Sequence, residues 1–552
     1  MLRSSLNRLA PFVALAFVGC TPSSGGNGVA GSTGNAGGTS GSAGGTTGTG
    51  GATGVAGATG TAGTGGTGTA GVTGTAGAAG AGVAGTGGGG ATGSAGGGGA
   101  GADGGGTTGA AGGPACAAFT QVNQAAVSLK RMDLSAYKFA PTPAANVMKM
   151  DYDPLNMVVV METQGAKFYK FDPKAALPTG TATATTATQT EMNYPYGGDH
   201  RGLAFAPDGT MYTLASAGTT GGNGVNIYKG VPAAGGGHTW SQIAKSAGYP
   251  LPQKGGNFGH SFSGLALDPS GQYLYFSSGS RSDHGEMEET ARELPLTSAI
   301  FRVPTTPAGG GMTMLPADDA GLAPYLFADG TRNSFDPEFN ANGDLIAGDN
   351  GPDMDLPDEI NWIQMGKHYG FPWRFGAEDN PVRAAAYTAA GDMRLHTGYQ
   401  AVGIMSYFYD AGFPAAPAGV TFVDPIMNMG PDENFFRTGP MGLPTQGAMP
   451  GITGHRSPLG LSFDTKGALC GAYYKQGFIA SYGSLPQSGF ADQGQDLALL
   501  TLNKGAGTYT SNVQIIATGL KSPMDTVLVG NRLFLVGIST AAPVYAFVFP
   551  TP

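Results

Sequence analysis

Cysteine is nearly absent from this chain: there are 3 in 552 residues, and no Cys-x-x-Cys-His run that would attach a c-type haem. No Gly-x-Gly-x-x-Gly opens a βαβ unit, so a nicotinamide cofactor is not expected, and EF-hand spacing is missing too. Charged side chains make up only 12% of the residues. Long amphipathic helical stretches are nearly absent after residue 115, which turns the reading away from helical folds and towards strands. The apolar run at the start, Leu9 to Val18, is about half as long as a membrane-spanning helix requires.

What is present begins with an export signal. Arg3 and Arg8 lead into that apolar run, and Gly19-Cys20 closes it. The small residue before Cys20 resembles a bacterial lipobox, with Phe17 where leucine is usual. On this reading residues 1–20 are a lipoprotein signal peptide and Cys20 is the lipidated N-terminus, whose acyl chains hold the protein to a membrane. Thr21, in place of an aspartate, points to the outer membrane, on its periplasmic or cell-surface face. A plain secretory signal with a chance cysteine is the competing reading. Residues 21–115 are almost entirely Gly, Ala, Thr, Ser and Val, with Asp103 the only charge. This composition does not offset the entropy of ordering, so the segment is expected to be a disordered tether. Random-coil scaling gives it a reach of about 50–60 Å.

Residues 116–552 hold the bulky apolar side chains of a folded domain. They carry 26 basic and 36 acidic groups, a net charge of −10. Such a surface repels phosphate backbones, so nucleic acid is not an expected partner and the lipid anchor is the only expected membrane contact. Small neutral ligands remain. With Cys20 lipidated, Cys116 and Cys470 are left as an even pair in an oxidising compartment, and a disulfide between them is expected. Two unpaired buried thiols are the alternative.

A hairpin pattern recurs along this domain: an apolar run, a turn of Asp, Pro, Gly or Asn, then a second run rich in Tyr, Leu, Val and Phe. It reads GLAFAPDGTMYTLASAG from 202, GLALDPSGQYLYFSSGS from 264, SFDPEFNANGDLIAGDNG from 334 and GLSFDTKGALCGAYYKQGFIAS from 460. Weaker copies start at 147 and 524. Six copies suit an all-β, six-bladed β-propeller, with the long gap between 335 and 460 read as insertions on one face. A count of seven or eight blades with a degenerate copy is the structural competitor. Chemistry is expected just before and after the hairpins, where loops gather round the central channel. Asp199-His200, Gly259-His260, Arg332-Asn333, Asp349-Asn350-Gly351-Pro352 and Gly454-His455 all lie there.

Three of these stretches, GGNFGHSFSGLALDPSGQYLYFSSGSRSDHGE, FADGTRNSFDPEFNANGDLIAGDNGPDMDLPDEINWIQMGKHYGFPW and GHRSPLGLSF with FIASYGS, resemble the glucose/sorbosone dehydrogenase family, its sorbosone-type branch above all. That family builds six-bladed propellers that use pyrroloquinoline quinone (PQQ). The resemblance implies oxidation of a sugar or polyol at a hydroxyl or hemiacetal carbon, with calcium assisting hydride transfer to the quinone and an electron acceptor that the sequence does not name. It implies His260 as the base, and Arg332, Asn333, Asn350 and His455 as cofactor contacts. The carbonyls of Gly351 and Pro352 would hold calcium under the quinone, and Asp358, Glu359 and Tyr369 would help to bind a structural calcium.

Histidine suits the base because it accepts a proton near neutral pH without a large shift. Arginine suits the cofactor because its planar fork meets carboxylate or carbonyl oxygens two at a time. Each assignment has a plain competitor: a structural channel histidine, a surface turn with an arginine, or solvated loop carboxylates. His200 matches no motif and reads as structural, and Trp362 and Trp373 read as blade packing. The chain also departs from the pattern, with Ser263 and Leu485-Pro486-Gln487 standing where the family has cations. Lys254, Arg281 or Arg456 are candidates to replace them. The departures keep two further readings open: a propeller that binds carbohydrate or protein without the quinone, and a calcium-dependent lactonase-like hydrolase.

Overall fold

The computed structural model describes residues 113–552, apart from 142–145, 184–185, 220–221, 251–259, 288–290, 353–355, 389–408, 432–435, 439–442, 446–447, 455, 484–493 and 540–542. The chain forms an all-β propeller, and every expected hairpin becomes the first two strands of a separate sheet. The turns explain why the pattern repeats. Asp153 accepts from the backbone of Leu155 and Asn156, Asp208 from Thr210, Asp268 from Gln272 and Tyr273, and Asn340 from Asn342 and Asp344. In each case a short side chain folds the turn by capping backbone N–H groups a few residues on.

Five of the sheets have four strands or more. The first comprises Val147–Asp153, Val158–Thr163, Phe168–Phe171 and Thr188–Thr190. The second begins with Asp199–Phe205 and the third with Phe262–Leu267, and the last two begin with Pro458–Phe463 and Pro523–Val529. The sheet between the third and these last two has three strands, Glu338–Phe339, Leu345–Asp349 and Glu359–Ile363. The expected six blades are therefore corrected to five complete ones. The chain after Ile363 explains the difference. It forms a small separate hairpin, Arg374–Phe375 with Glu378–Asp379, and the later short strand Met427–Asn428 pairs in parallel with Tyr509–Thr518 of the following blade.

The first strands pack side by side round the axis, and the strand before Pro523–Val529 and the strand after it, Val147–Asp153, both contact it, so the ring closes. The outer strand of the last blade comes from the other end of the domain: Ser135–Pro141 pairs antiparallel with Pro543–Val548. Near it, Cys116 and Cys470 are joined by a disulfide, with Cα atoms 5.3 Å apart. Apolar clusters fill the spaces between neighbouring blades. Phe262, Phe276 and Phe301 of the third pack with Leu214 and Ile227 of the second, and Phe534 of the last packs with Phe139 and Phe171. Each such ring withdrawn from water stabilises the fold by about 1.5–3 kcal/mol.

Carboxylates stitch the first strands together along the axis. Asp525 accepts from the backbone of Met150, Asp151 from Phe205, and Asp336 from Leu461. Lys149 Nζ lies 2.5 Å from Asp336 and 3.6 Å from Asp525. These residues border a cavity of about 370 Å³ lined by the C-terminal ends of the first strands, including Phe205, Leu267, Phe463 and Val529. His260 and Arg332-Asn333 precede their hairpins, so they belong to the opposite end of the channel.

Candidate active site

At that opposite end, the segments flanking the third blade and the three-stranded sheet are tied by their backbones. His260 donates to the carbonyl of Ser280, Ser280 to that of Arg332, and Asn350 to that of Asn333. The residues just before one hairpin are thereby fixed against those just after another. Gly279 makes the close approach possible. A Cβ at this position would lie 2.1 Å from His260 Cβ and 3.0 Å from Asn333 Oδ1, so any side chain there would push the imidazole away from the amide.

Arg332 is buried and well supported. Its Nε donates to the carbonyl of Asp283 at 2.7 Å, Nη1 to that of Asn350 at 2.9 Å, and Nη2 to the Asp283 carboxylate. Asp349 receives the backbone N–H groups of both Arg332 and Asn333. Burial nevertheless pushes Asp349 up to about 6, these hydrogen bonds and the Arg332 charge opposing the rise. Across the ladder Asp349 pairs with Glu359, which burial, and then the Asp349 charge, push up to about 8.

His260 is held well below the ordinary histidine value, first by burial and then by the Arg332 charge, with Asp283 acting the other way and Arg201 adding to the depression. A neutral imidazole is what a base requires. Arg201, on the first strand of the second blade, is itself buried and paired with Asp199 at 2.5 Å.

Next to Arg332, the Asn350-Gly351-Pro352 turn is drawn tight. Gly351 N donates to Asp358 Oδ1 at 2.6 Å, and a Cβ on Gly351 would come within 2.8 Å of the Pro357 carbonyl. Asn350 Oδ1 is buried with no hydrogen-bond partner among the described residues. An orphaned oxygen beside two peptide carbonyls is a donor set of the kind a hard cation takes, so this turn fits the calcium expected there. Towards the quinone the same rim presents the Arg332 guanidinium, already held by Asp283 and Asn350, and the amide of Asn333 beside His260.

The second expected cation group is not brought together. Asp358 receives the backbone N–H groups of Gly351 and Ser457, and burial pushes it up to about 6. Glu359 receives Asn361 Nδ2 and the Gly376 N–H. The Tyr369 hydroxyl donates to the Trp362 carbonyl and accepts from Gln364 N. The three side chains serve different segments, and among the described residues no group of three or more His, Cys, Asp or Glu is placed to hold a metal ion.

His455 and Cys20 lie outside the described residues, as do Lys254 and residues 485–487. Arg281 turns its guanidinium to the carbonyls of Pro250 and Ala291, and Arg456 pairs with Asp496 at 2.7 Å. Ser263 is buried against Ser277 within its own sheet. His200 sits fully buried between blades with Nδ1 2.9 Å from Glu162, and Trp373 stacks on Phe422. Arg201, Gly279, Ser280 and Asp283 were not singled out by the sequence. Three of them follow the second strand of the third hairpin, Tyr273–Ser278, and that position was the available signal.

Residues 204–424 match the model of the glucose / sorbosone dehydrogenase family. The matched stretch is under half of the chain, and it contains His260, Arg332, Asn333 and the 350–352 turn. The holo PQQ domain of pyranose dehydrogenase from Coprinopsis cinerea has a similar structure, with a TM-score of 0.50 at 12% identity, covering 78% of this chain and 100% of that one. Apo soluble aldose sugar dehydrogenase from Escherichia coli aligns with a TM-score of 0.45 at 13% identity, over 75% of this chain and 99% of the other. The PQQ-bound aldose sugar dehydrogenase of Streptomyces coelicolor gives 0.43 at 15% identity, over 77% and 99%. At 12% identity the likeness to the pyranose dehydrogenase domain is one of fold. No curated protein matches the sequence.

Proposed function

We propose that this protein is a PQQ-dependent dehydrogenase that oxidises a sugar or polyol at a hydroxyl or hemiacetal carbon. The observation that carries the reading is the shared rim: His260, Arg332, Asn333 and the buried Asn350 Oδ1, which has no hydrogen-bond partner among the described residues, are tied through Gly279, Ser280 and Asp349, all within the stretch that matches the glucose / sorbosone dehydrogenase model. Bound there, the quinone and calcium supply a two-electron acceptor for the hydride leaving the substrate carbon, with its oxygens polarised.

The chain's own residues do the rest. His260, kept neutral, takes the hydroxyl proton. The charge of Arg332, held in place by Asp283 and the Asn350 carbonyl, would oppose the negative charge of the cofactor, and Asn333 would add an amide donor. Asn350, Gly351 and Pro352 offer oxygens to the calcium. His455, which lies outside the described residues, is proposed as a further cofactor contact on its motif alone. An electron acceptor outside the site would be needed to complete the turnover. Lipid on Cys20 and the tether of residues 21–115 place this chemistry outside the cytoplasm, at the outer membrane.

A second reading is favoured by how the cations are spent. Arg332 is paired with Asp283, Arg201 with Asp199 and Arg456 with Asp496, which leaves less charge for a multiply anionic cofactor. Each charged hydrogen bond absent weakens binding by about 1.5–3 kcal/mol, and the limit of that trend is a propeller that binds carbohydrate without the quinone. Loading purified protein with PQQ and calcium, desalting it and following dye reduction with aldoses and polyols tests the proposal. Retained quinone absorbance with sugar-dependent reduction supports it. No retained absorbance and no reduction overturns it in favour of the binder, and lactone turnover with calcium alone overturns it in favour of a hydrolase.

A further inference from the structure

The hydrogen bonds behind His260 have a direction. Its Nδ1 lies 3.0 Å from Ser280 Oγ, and Ser280 Oγ lies 2.7 Å from the carbonyl oxygen of Ser282. A serine hydroxyl has one proton and two lone pairs. The carbonyl can only accept, so the Ser280 proton points to Ser282, and towards His260 the hydroxyl oxygen can only accept. The hydrogen on the imidazole is thereby fixed at Nδ1, and Nε2 carries the lone pair.

The carbonyl that sets this direction is itself held. Glu293 receives the backbone N–H of Ser282 at 3.1 Å and its Oγ–H at 2.6 Å, together with the backbone N–H of Arg281 and the hydroxyls of Thr297 and Ser298. Ser280 has no slack either. It is fully buried, its carbonyl accepts from His260 N and its N–H donates to Arg332. From Glu293 to the imidazole the proton order runs one way, and it ends in a neutral serine where a carboxylate would instead draw the imidazole towards its charged form.

We propose that Ser280 is the positioning residue for His260: by accepting Nδ1–H it holds the ring as the tautomer whose Nε2 can take the substrate's hydroxyl proton. The assignment rests on the dehydrogenase reading for its use in catalysis, but the tautomer itself is a property of the protein without cofactor. Long-range proton–nitrogen spectra of full-length, cofactor-free protein labelled with nitrogen-15 in its 7 histidines read it directly, with His260 assigned from the signals lost in His260→Gln.

The expected result is a single Nδ1–H tautomer for His260. Ser280→Ala shifts it to a mixture or to Nε2–H, and Ser280→Thr, which keeps the hydroxyl, restores it. In the loaded enzyme Ser280→Ala lowers kcat by about 10-fold, a modest part of what general bases contribute, with KM little changed, and Ser280→Thr recovers it. An Nε2–H tautomer in the native protein, or an unchanged tautomer in Ser280→Ala, overturns the proposal, and the native spectrum decides even if a variant fails to fold. If the tautomer is as expected and no sugar is oxidised, the dehydrogenase reading fails while Ser280 keeps its place behind the imidazole.

Discussion

At the scale of single residues, the rim depends on an atom that is missing. Gly279 lies so close to His260 and Asn333 that a methyl group there would overlap the histidine Cβ at 2.1 Å. Both colliding atoms are next to the backbone, so neither can turn aside. Gly279→Ala is expected to cost about 1–3 kcal/mol in stability, as overpacking does, and to lower dye reduction at least tenfold, read by urea unfolding and by turnover. Wild-type turnover in that variant would mean that the spacing of imidazole and amide is unimportant. The pH behaviour of His260 follows from its surroundings. Burial and Arg332 hold it well below 6.5, so the base stays neutral through the neutral range. The acid limb of kcat/KM is therefore expected well below pH 6.5, and a limb at or above 6.5 would remove His260 as the base. The sequence could name His260, Arg332 and Asn333, because motifs are local. It could not supply Asp283, 49 positions from the arginine it pairs with, because only the folded chain puts them together.

At the scale of elements, the same contrast explains which parts of the fold were legible. The paired strands beside each turn announce themselves because one side chain, such as Asp268 or Asn340, must fold the turn and the flanking apolar runs must be buried. Outer strands carry no such mark. The short, exposed Glu378–Asp379 pair and the strand Met427–Asn428, which joins the next blade, show why the fourth sheet could not be counted as complete from its hairpin. That sheet also carries a pH signature. Glu359 is pushed up to about 8 by burial and then by Asp349, so the folded state holds its proton more tightly than the unfolded chain does. This contribution is fully present below the unfolded glutamate value near 4.5 and is lost as pH rises through about 8. The midpoint of thermal unfolding of cofactor-free protein is expected to fall between about pH 5 and pH 8, and Glu359→Gln, which has no proton to lose, should flatten that decline. An equal decline in the variant would assign the loss to the axial carboxylates Asp151 and Asp525, which burial also raises.

At the scale of the whole molecule, a propeller is a ring that must be fastened where its two ends meet. Here Ser135–Pro141 from the start of the domain supplies the outer strand of the last blade, while the disulfide ties Cys116, ahead of that strand, to Cys470, 354 positions on. The even cysteine pair made this bond readable in the sequence, but not its role, which follows from the strand exchange. A link closing so long a loop removes entropy from the unfolded chain, with an upper effect of about 5 kcal/mol. It also opposes peeling of the closing strand, whose loss would expose Phe139 and the apolar cluster it shares with Phe171 and Phe534. Cys116→Ser is therefore expected to lower the urea midpoint measurably and to speed hydrogen exchange across 135–141 more than across the inner strands, such as Phe262–Leu267. Cys470→Ser should do the same, since either change frees the same end. If both variants exchange uniformly faster over the whole domain, the bond stabilises only through the unfolded chain. If neither moves the midpoint, the strand pairing with Pro543–Val548 closes the ring unaided.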